Sequence, residues 1–166
     1  NTNFKNVHGL DEEGHYSTTY DMSLIARELL KHEQILKYTS TYEAYLNKPN
    51  GTSTWMVNTN KLIKYYTGLD GLKTGFTKTA GYCLTSTAKR NDMRLISVVM
   101  KEPSSQVRNS ETISLLNYGF SNYKIKTILK KDQKLRTIEV QNGKKELADI
   151  TILEDATNLE LINDNK

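Results

Sequence analysis

Three strand-like segments follow one another closely in the middle of the chain: Leu69 to Thr77, Tyr82 to Lys89 and Arg94 to Met100. Only Lys78 to Gly81 and Arg90 to Met93 join them, and links this short between β-patterned runs predict an antiparallel meander. Helical patterns flank the meander on both sides in sequence. Thr18 precedes Asp21 at the spacing of a capping box, and Met22, Ile25, Ala26, Leu29 and Leu30 repeat along one face, with Lys31 and His32 suiting the C-terminal end of the dipole. Ser104 or Ser105 can cap a second helix whose stripe is Val107, Ile113, Leu116 and Phe120. Separate helices and an antiparallel sheet define an α+β fold.

The remaining segments are read in the same way. Residues 1 to 16 show no sustained period and are expected to be loop. After a polar, tyrosine-rich passage, Lys48-Pro49-Asn50-Gly51 signals a turn, and Thr52 to Val57 has strand composition. Beyond Tyr123 the pattern changes: Leu135 to Val140 and Glu146 to Leu153 flank Asn142-Gly143, which predicts a β-hairpin on a type I′ turn. A boundary near Ser121 to Lys131 is therefore expected, with domains over residues 1–122 and 123–166.

Composition narrows the function classes. The 166 residues suit one domain with a small partial one beside it, and no apolar run is long enough for a membrane-spanning helix. The single cysteine, Cys83, excludes an internal disulfide and a multi-cysteine zinc site. His8, His15 and His32 lack metal-ligand spacing, so neither a metal nor another cofactor is expected. A net charge of +4 favours anionic surroundings such as nucleic acid, anionic lipid or wall polymer. The late lysines, among them Lys124, Lys126, Lys130, Lys131 and Lys134, are not interleaved with stacking aromatics, so they read as a solvated face and no nucleic-acid partner is expected.

Chemistry concentrates in Gly68 to Leu84, around Lys73-Thr74-Gly75. A phosphate-binding loop needs glycine immediately before its lysine, and Leu72 stands there. Ser86-Thr87-Ala88-Lys89 and Ser121-Asn122-Tyr123-Lys124 match Ser-x-x-Lys, whose chemistry needs both side chains on one helix face. Ser86 and Lys89 lie in a β-patterned run, where positions three apart face opposite ways, and both matches are read as chance. The tripeptide itself reads either as an ordinary surface strand or as a site strand, with lysine projecting into a cleft, a hydroxyl at its rim and glycine admitting a substrate backbone.

A set of motifs in fixed order tips that balance. His8-Gly9-Leu10-Asp11, Tyr16-Ser17, Asp21-Met22, Asn58-Thr59-Asn60, Leu69 to Gly75, Ala80 to Leu84 and Met93 to Met100 together resemble the low-molecular-mass penicillin-binding proteins of the serine-type D-alanyl-D-alanine carboxypeptidase kind. The resemblance covers about residues 1 to 125, and the tail is similar to the opening strands of that family's β-rich second domain. It implies part of a β-lactamase/transpeptidase-like domain, an antiparallel sheet with packed helices, followed by the start of a small β-rich domain. The family carries Ser-x-x-Lys, Ser-x-Asn and Lys-Thr-Gly in that order, and only the third is recognisable here. The chain is accordingly expected to be the C-terminal part of such an enzyme and inactive alone.

By resemblance, Lys73 is the catalytic residue of this segment, assisting proton transfer at a serine that lies elsewhere. Thr74 binds the substrate's terminal carboxylate, Gly75 leaves room for the peptide, and the Phe76 backbone N–H is an oxyanion-hole donor. Arg108 falls in the first turn of the second helix, where a cation opposes the dipole at a cost of about 0.3–1 kcal/mol unless an anion binds beside it; the family places a carboxylate-binding arginine there. The family's segment can carry an arginine where Thr59 stands. The implied partners are peptidoglycan pentapeptide stems ending in D-Ala-D-Ala and β-lactams, and the implied location is the bacterial cell envelope. Apolar surface near Arg94 to Met100 and Val107 to Phe120 is expected to support self-association. A non-catalytic cell-wall-binding or scaffold module is the competing reading.

Overall fold

A computed structural model of the chain describes residues 1–162. They form two compact units, Asn1–Phe120 and a second beginning at Ser121. In the first unit, α1 (Thr19–Leu29), α2 (Ile35–Thr39), β1 (Glu43–Asn47), β2 (Ser53–Val57) and α3 (Leu62–Tyr65) precede the meander of β3 (Leu69–Thr77), β4 (Gly81–Arg90) and β5 (Met93–Glu102). Helix α4 (Ser105–Asn122) follows. Among the described residues the meander is a three-stranded antiparallel sheet in the order β3-β4-β5, with β3 and β5 as its edges.

Register decides which side chains share a face. Leu84, Ser86 and Ala88 of β4 lie opposite Val99, Ser97 and Leu95 of β5, and these rows point the same way. On that face Leu69, Leu84 and Ala88 pack with Leu62 and Tyr66, from and just after α3, and with Leu116 of α4. Helix α1 lies against β5 and β4 and buries Ala26. Its N-cap is as the spacing predicts: extended Thr18 accepts a 3.0 Å hydrogen bond from the Asp21 N–H, satisfying one of the free donors at the helix start.

The stripe of α4 differs from the expected one. Ser104 does cap it, accepting from the Val107 N–H at 3.2 Å, but the buried positions are Arg108, Thr112, Leu116 and Gly119, with Val107 exposed. Gly119 suits this rotation, because a Cβ there would lie 2.4 Å from Leu95 Cδ1 and the leucine would have to shift. The closest approach of helix to sheet thus runs through small and polar residues, which a search for apolar periodicity passes over. Ile113 and Phe120 of the expected stripe remain half-buried beside the core.

Three short elements also escape the sequence pattern. β1 pairs with β2 in register from Glu43↔Val57 to Asn47↔Ser53, yet all five of its residues are exposed, so it has no apolar alternation to detect. α2 and α3 have 5 and 4 residues, too few to display a period. Residues 1–16 are loop with one isolated bridge, Asn3↔Tyr16.

The second unit contains β6 (Tyr123–Leu129), β7 (Lys134–Glu139), β8 (Leu147–Thr151) and β9 (Ala156–Leu161), paired antiparallel as β6 with β9 and β7 with β8. The β7–β8 hairpin forms, but not on a type I′ turn. That turn needs positive φ at both central residues, and of Asn142 and Gly143 only Asn142 has it, at 60°. A longer loop closes instead, with the Val140 N–H donating to Glu146 O at 2.9 Å. Gly143 is needed there for space, since a Cβ would meet Val140 Cγ1 at 2.7 Å.

Candidate active site

The Lys-Thr-Gly strand is fixed upstream before it reaches the cleft. Gly68, at φ 86°, turns the chain into β3 so closely that a Cβ would stand 2.4 Å from Lys89 O. Two residues on, Asp70 is gripped from the far strand. Arg94 of β5 makes a two-pronged ion pair with it, at 2.8 and 3.0 Å, and donates to Thr87 Oγ1 of β4 at 3.0 Å. This guanidinium therefore ties together all three strands of the sheet, and the fork geometry fixes direction as well as distance. On the other side, Thr39 Oγ1 donates to Asp70 O at 2.7 Å.

Downstream, the strand alternates across the sheet. Lys73 and Gly75 pair with Thr85 and Cys83, while Thr74 and Phe76 pair with Leu84 and Tyr82. Lys73 is exposed, and its Nζ donates at 2.6 Å to Thr74 O. Thr74 Oγ1 lies 2.6 Å from Thr59 Oγ1. A Cβ at Gly75 would meet only Cys83 Cβ, at 3.8 Å, so the space above it is open to a ligand. The exposed Phe76 ring packs against Tyr82, with centroids 4.3 Å apart. At the end of β3, Thr77 Oγ1 donates to Asp11 Oδ1 at 2.7 Å and accepts from the Ala80 N–H at 2.9 Å, fastening the N-terminal loop to the strand.

A cleft of about 620 Å³ runs beside this strand, lined by Lys73 to Thr77 and, across from them, by Met22, Ile25 and Leu29 of α1. One wall is polar and one apolar, the usual make-up of a small-molecule site. A second hollow of about 660 Å³ lies in the other unit among Lys134, Thr137, Lys144, Lys145 and Asp149.

Arg108 occupies the fourth position of α4 and is only 5% exposed. Its Nε and Nη2 both donate to Asn109 Oδ1, at 3.2 and 2.9 Å, and among the described residues it forms no salt bridge. Burial pulls its pKa below the ordinary guanidinium value, and Cys83 and Tyr82 pull the other way. Those two residues belong to β4 and pair with Gly75 and Phe76, so the charges felt by Arg108 come from the strand next to the motif. A buried cation with only an amide oxygen for company is short of negative charge, which an incoming carboxylate would supply.

The Ser-x-x-Lys matches have no such geometry. Ser86 is fully buried opposite Ser97, while Lys89 is exposed. Ser121 stands in the last turn of α4 and Lys124 in β6, so the helix ends between them. Two residues near the motif carry contacts that sequence reading gave no role: Asp11, which holds Thr77, and Thr59, which holds Thr74. Their only signal was membership of the ordered motif set.

Comparison with known proteins gives one answer. Residues 1–104 match the model of a peptidase family described as D-alanyl-D-alanine carboxypeptidase. The chain is 46% identical to D-alanyl-D-alanine carboxypeptidase DacF of Bacillus subtilis (strain 168) over 154 residues, covering 93% of this chain and 40% of that protein. It superposes on penicillin binding protein 5 from Haemophilus influenzae with a TM-score of 0.75 at 32% identity, over 99% of this chain and 47% of that one. It also matches a penicillin-binding protein of Listeria monocytogenes in its cefotaxime-bound form, with a TM-score of 0.63 at 38% identity over 72% of this chain and 48% of that one. The chain thus spans about two fifths to a half of the length of these relatives. With its partial transpeptidase-like domain and following β-rich region, the chain belongs to the D-alanyl-D-alanine carboxypeptidase family of penicillin-binding proteins.

Proposed function

We propose that this chain supplies one wall of a serine D-alanyl-D-alanine carboxypeptidase site acting on peptidoglycan stems in the cell envelope. A serine outside these residues attacks the carbonyl carbon of the penultimate D-alanine. The serine Oγ–C bond forms, the peptide C–N bond breaks, and D-alanine leaves with a proton on its amine; water then hydrolyses the ester. Lys73 places its ammonium beside the serine hydroxyl and assists the proton transfers. Thr74 Oγ1 and Arg108 take the terminal carboxylate, Gly75 admits the peptide, and the Phe76 N–H serves the oxyanion. A β-lactam acylates the same serine. Alone, these residues form no acyl-enzyme.

The observation that carries this reading is the pairing of an exposed Lys73 and a half-buried Thr74, on a strand clamped at Asp70, with a buried Arg108 that forms no salt bridge among the described residues. No described helix is long and apolar enough to cross a membrane. The test is D-alanine release from an acylated tripeptide ending in D-Ala-D-Ala, by an enzyme of the relatives' full length carrying this segment. Release is expected, and it should fall steeply when the terminal carboxylate is amidated. Retention on purified cell wall without any D-alanine release would instead favour a binding or scaffold module.

A further inference from the structure

We infer that Thr59 is a positioning residue for carboxylate recognition, holding the Thr74 hydroxyl so that its proton points out of the strand toward the ligand. The inference rests on the reading of Thr74 and Arg108 as the carboxylate subsite. It begins from the 2.6 Å separation of Thr59 Oγ1 and Thr74 Oγ1, a short hydrogen bond between two neutral hydroxyls at an exposed rim. Each hydroxyl has one proton and can accept at its lone pairs. When Thr59 donates to Thr74, the Thr74 proton is freed for a third group, and donation into its oxygen makes it a stronger donor. An anion facing the pair selects that arrangement.

The turn bearing Thr59 is built to hold this position. Asn58 Nδ2 donates to Thr39 O at 3.2 Å and to Thr41 O at 3.0 Å, and Asn58 Oδ1 accepts from the Asn60 N–H at 2.9 Å. Asn60 is completely buried; its Oδ1 accepts from the Leu62 N–H at 3.3 Å, and its Nδ2 donates to Gly71 O at 3.4 Å. Gly71 belongs to β3, two residues before Lys73. Asparagines on both sides of Thr59 thus fasten the turn to its surroundings and to the motif strand. Thr59 itself is exposed and, among the described residues, its side chain hydrogen-bonds to Thr74 alone. A side chain presented so rigidly, with its one bond made to the proposed ligand-binding hydroxyl, acts through that hydroxyl.

The test uses the 166-residue chain, isotope-labelled for NMR and titrated with N-acetyl-lysyl-D-alanyl-D-alanine and with its C-terminal amide. Thr59→Val should weaken the carboxylate peptide by roughly three- to tenfold, the loss of one hydrogen bond, and leave the amide peptide unchanged. Thr59→Ser should restore wild-type affinity. In a Thr74→Val background, Thr59→Val should add no further loss, because the residue acts through Thr74. Unchanged carboxylate affinity in Thr59→Val, an equal loss for both peptides, or an undiminished loss in the Thr74→Val background would overturn the inference. If Arg108→Ala and Thr74→Val weaken the carboxylate peptide while Thr59→Val does not, Thr59 has no positioning role and the subsite stands. A wild-type chain that does not prefer carboxylate over amide would overturn the subsite and the inference together.

Discussion

Replacing Lys73 with methionine, in an enzyme of the relatives' full length carrying this segment, should lower the rate of acylation by a penicillin about 10²–10⁴-fold. The size of the effect follows from what the side chain does and does not touch. Its ammonium is exposed and its hydrogen bond runs to the carbonyl of the next residue, so among the described residues the charge is not committed to an ion pair that holds the fold together. Surface changes of this kind usually alter stability by no more than about 0.5 kcal/mol. The variant should therefore melt like the wild type and fail only in chemistry. Stopped-flow acylation with a fluorescent penicillin, alongside thermal unfolding, separates the two; acylation at the wild-type rate would remove Lys73 from the mechanism.

Leu116→Ala should have the largest effect on stability, about 2–5 kcal/mol. Leu116 is 1% exposed and packs from α4 onto Leu84, Leu69 and Ala88 of the sheet. Removing its branched end leaves a hollow between two rigid elements. Helix α4 lies close to the sheet at Gly119, where a Cβ would meet the end of the Leu95 side chain at 2.4 Å; the cost depends on how far the helix can settle into the hollow. The same stripe carries Arg108, and a loosened α4 would also blur the proposed carboxylate subsite. Urea unfolding of the chain measures the first effect. A loss below about 1 kcal/mol would show that α4 is not seated on the core as described.

The parts of this molecule legible in sequence are those where one physical pattern dominates. The meander could be read because β3, β4 and β5 are long and closely linked, and α1 because its cap and apolar spacing agree. The contact line of α4 was only partly read: Leu116 belongs to it as expected, but Gly119, Thr112 and Arg108 complete it, and none of these three contributes to an apolar period. β1 was missed because a fully exposed hairpin strand has no buried face. The Asn142-Gly143 pair marked a hairpin correctly but the turn wrongly, because the glycine relieves a clash with Val140 and does not adopt positive φ.

The site divides along the same line. Lys73, Thr74 and Gly75 stand out as a motif, whereas the contacts that hold them come from residues distant in the chain. Arg94 reaches Asp70 across β4, Thr59 meets Thr74 from the turn before α3, and Asp11 meets Thr77 from the N-terminal loop. Such pairings depend on the fold bringing those segments together, and local composition does not encode them. Arg108 was visible only as a cation in an unfavourable place on its helix; its burial makes that placement a stronger argument for an anionic ligand.

The central claim, that these residues form the Lys-Thr-Gly wall of an acyl-enzyme site whose nucleophile lies outside them, is tested most directly by intact-mass analysis after incubation with a labelled penicillin. Two samples are compared: the 166-residue chain, and an enzyme of the relatives' full length carrying it. The account predicts no adduct on the chain and a single adduct on the longer enzyme, mapping by peptide analysis to a serine outside these residues. A covalent adduct on the chain itself, at Ser86 or any other residue, would contradict it.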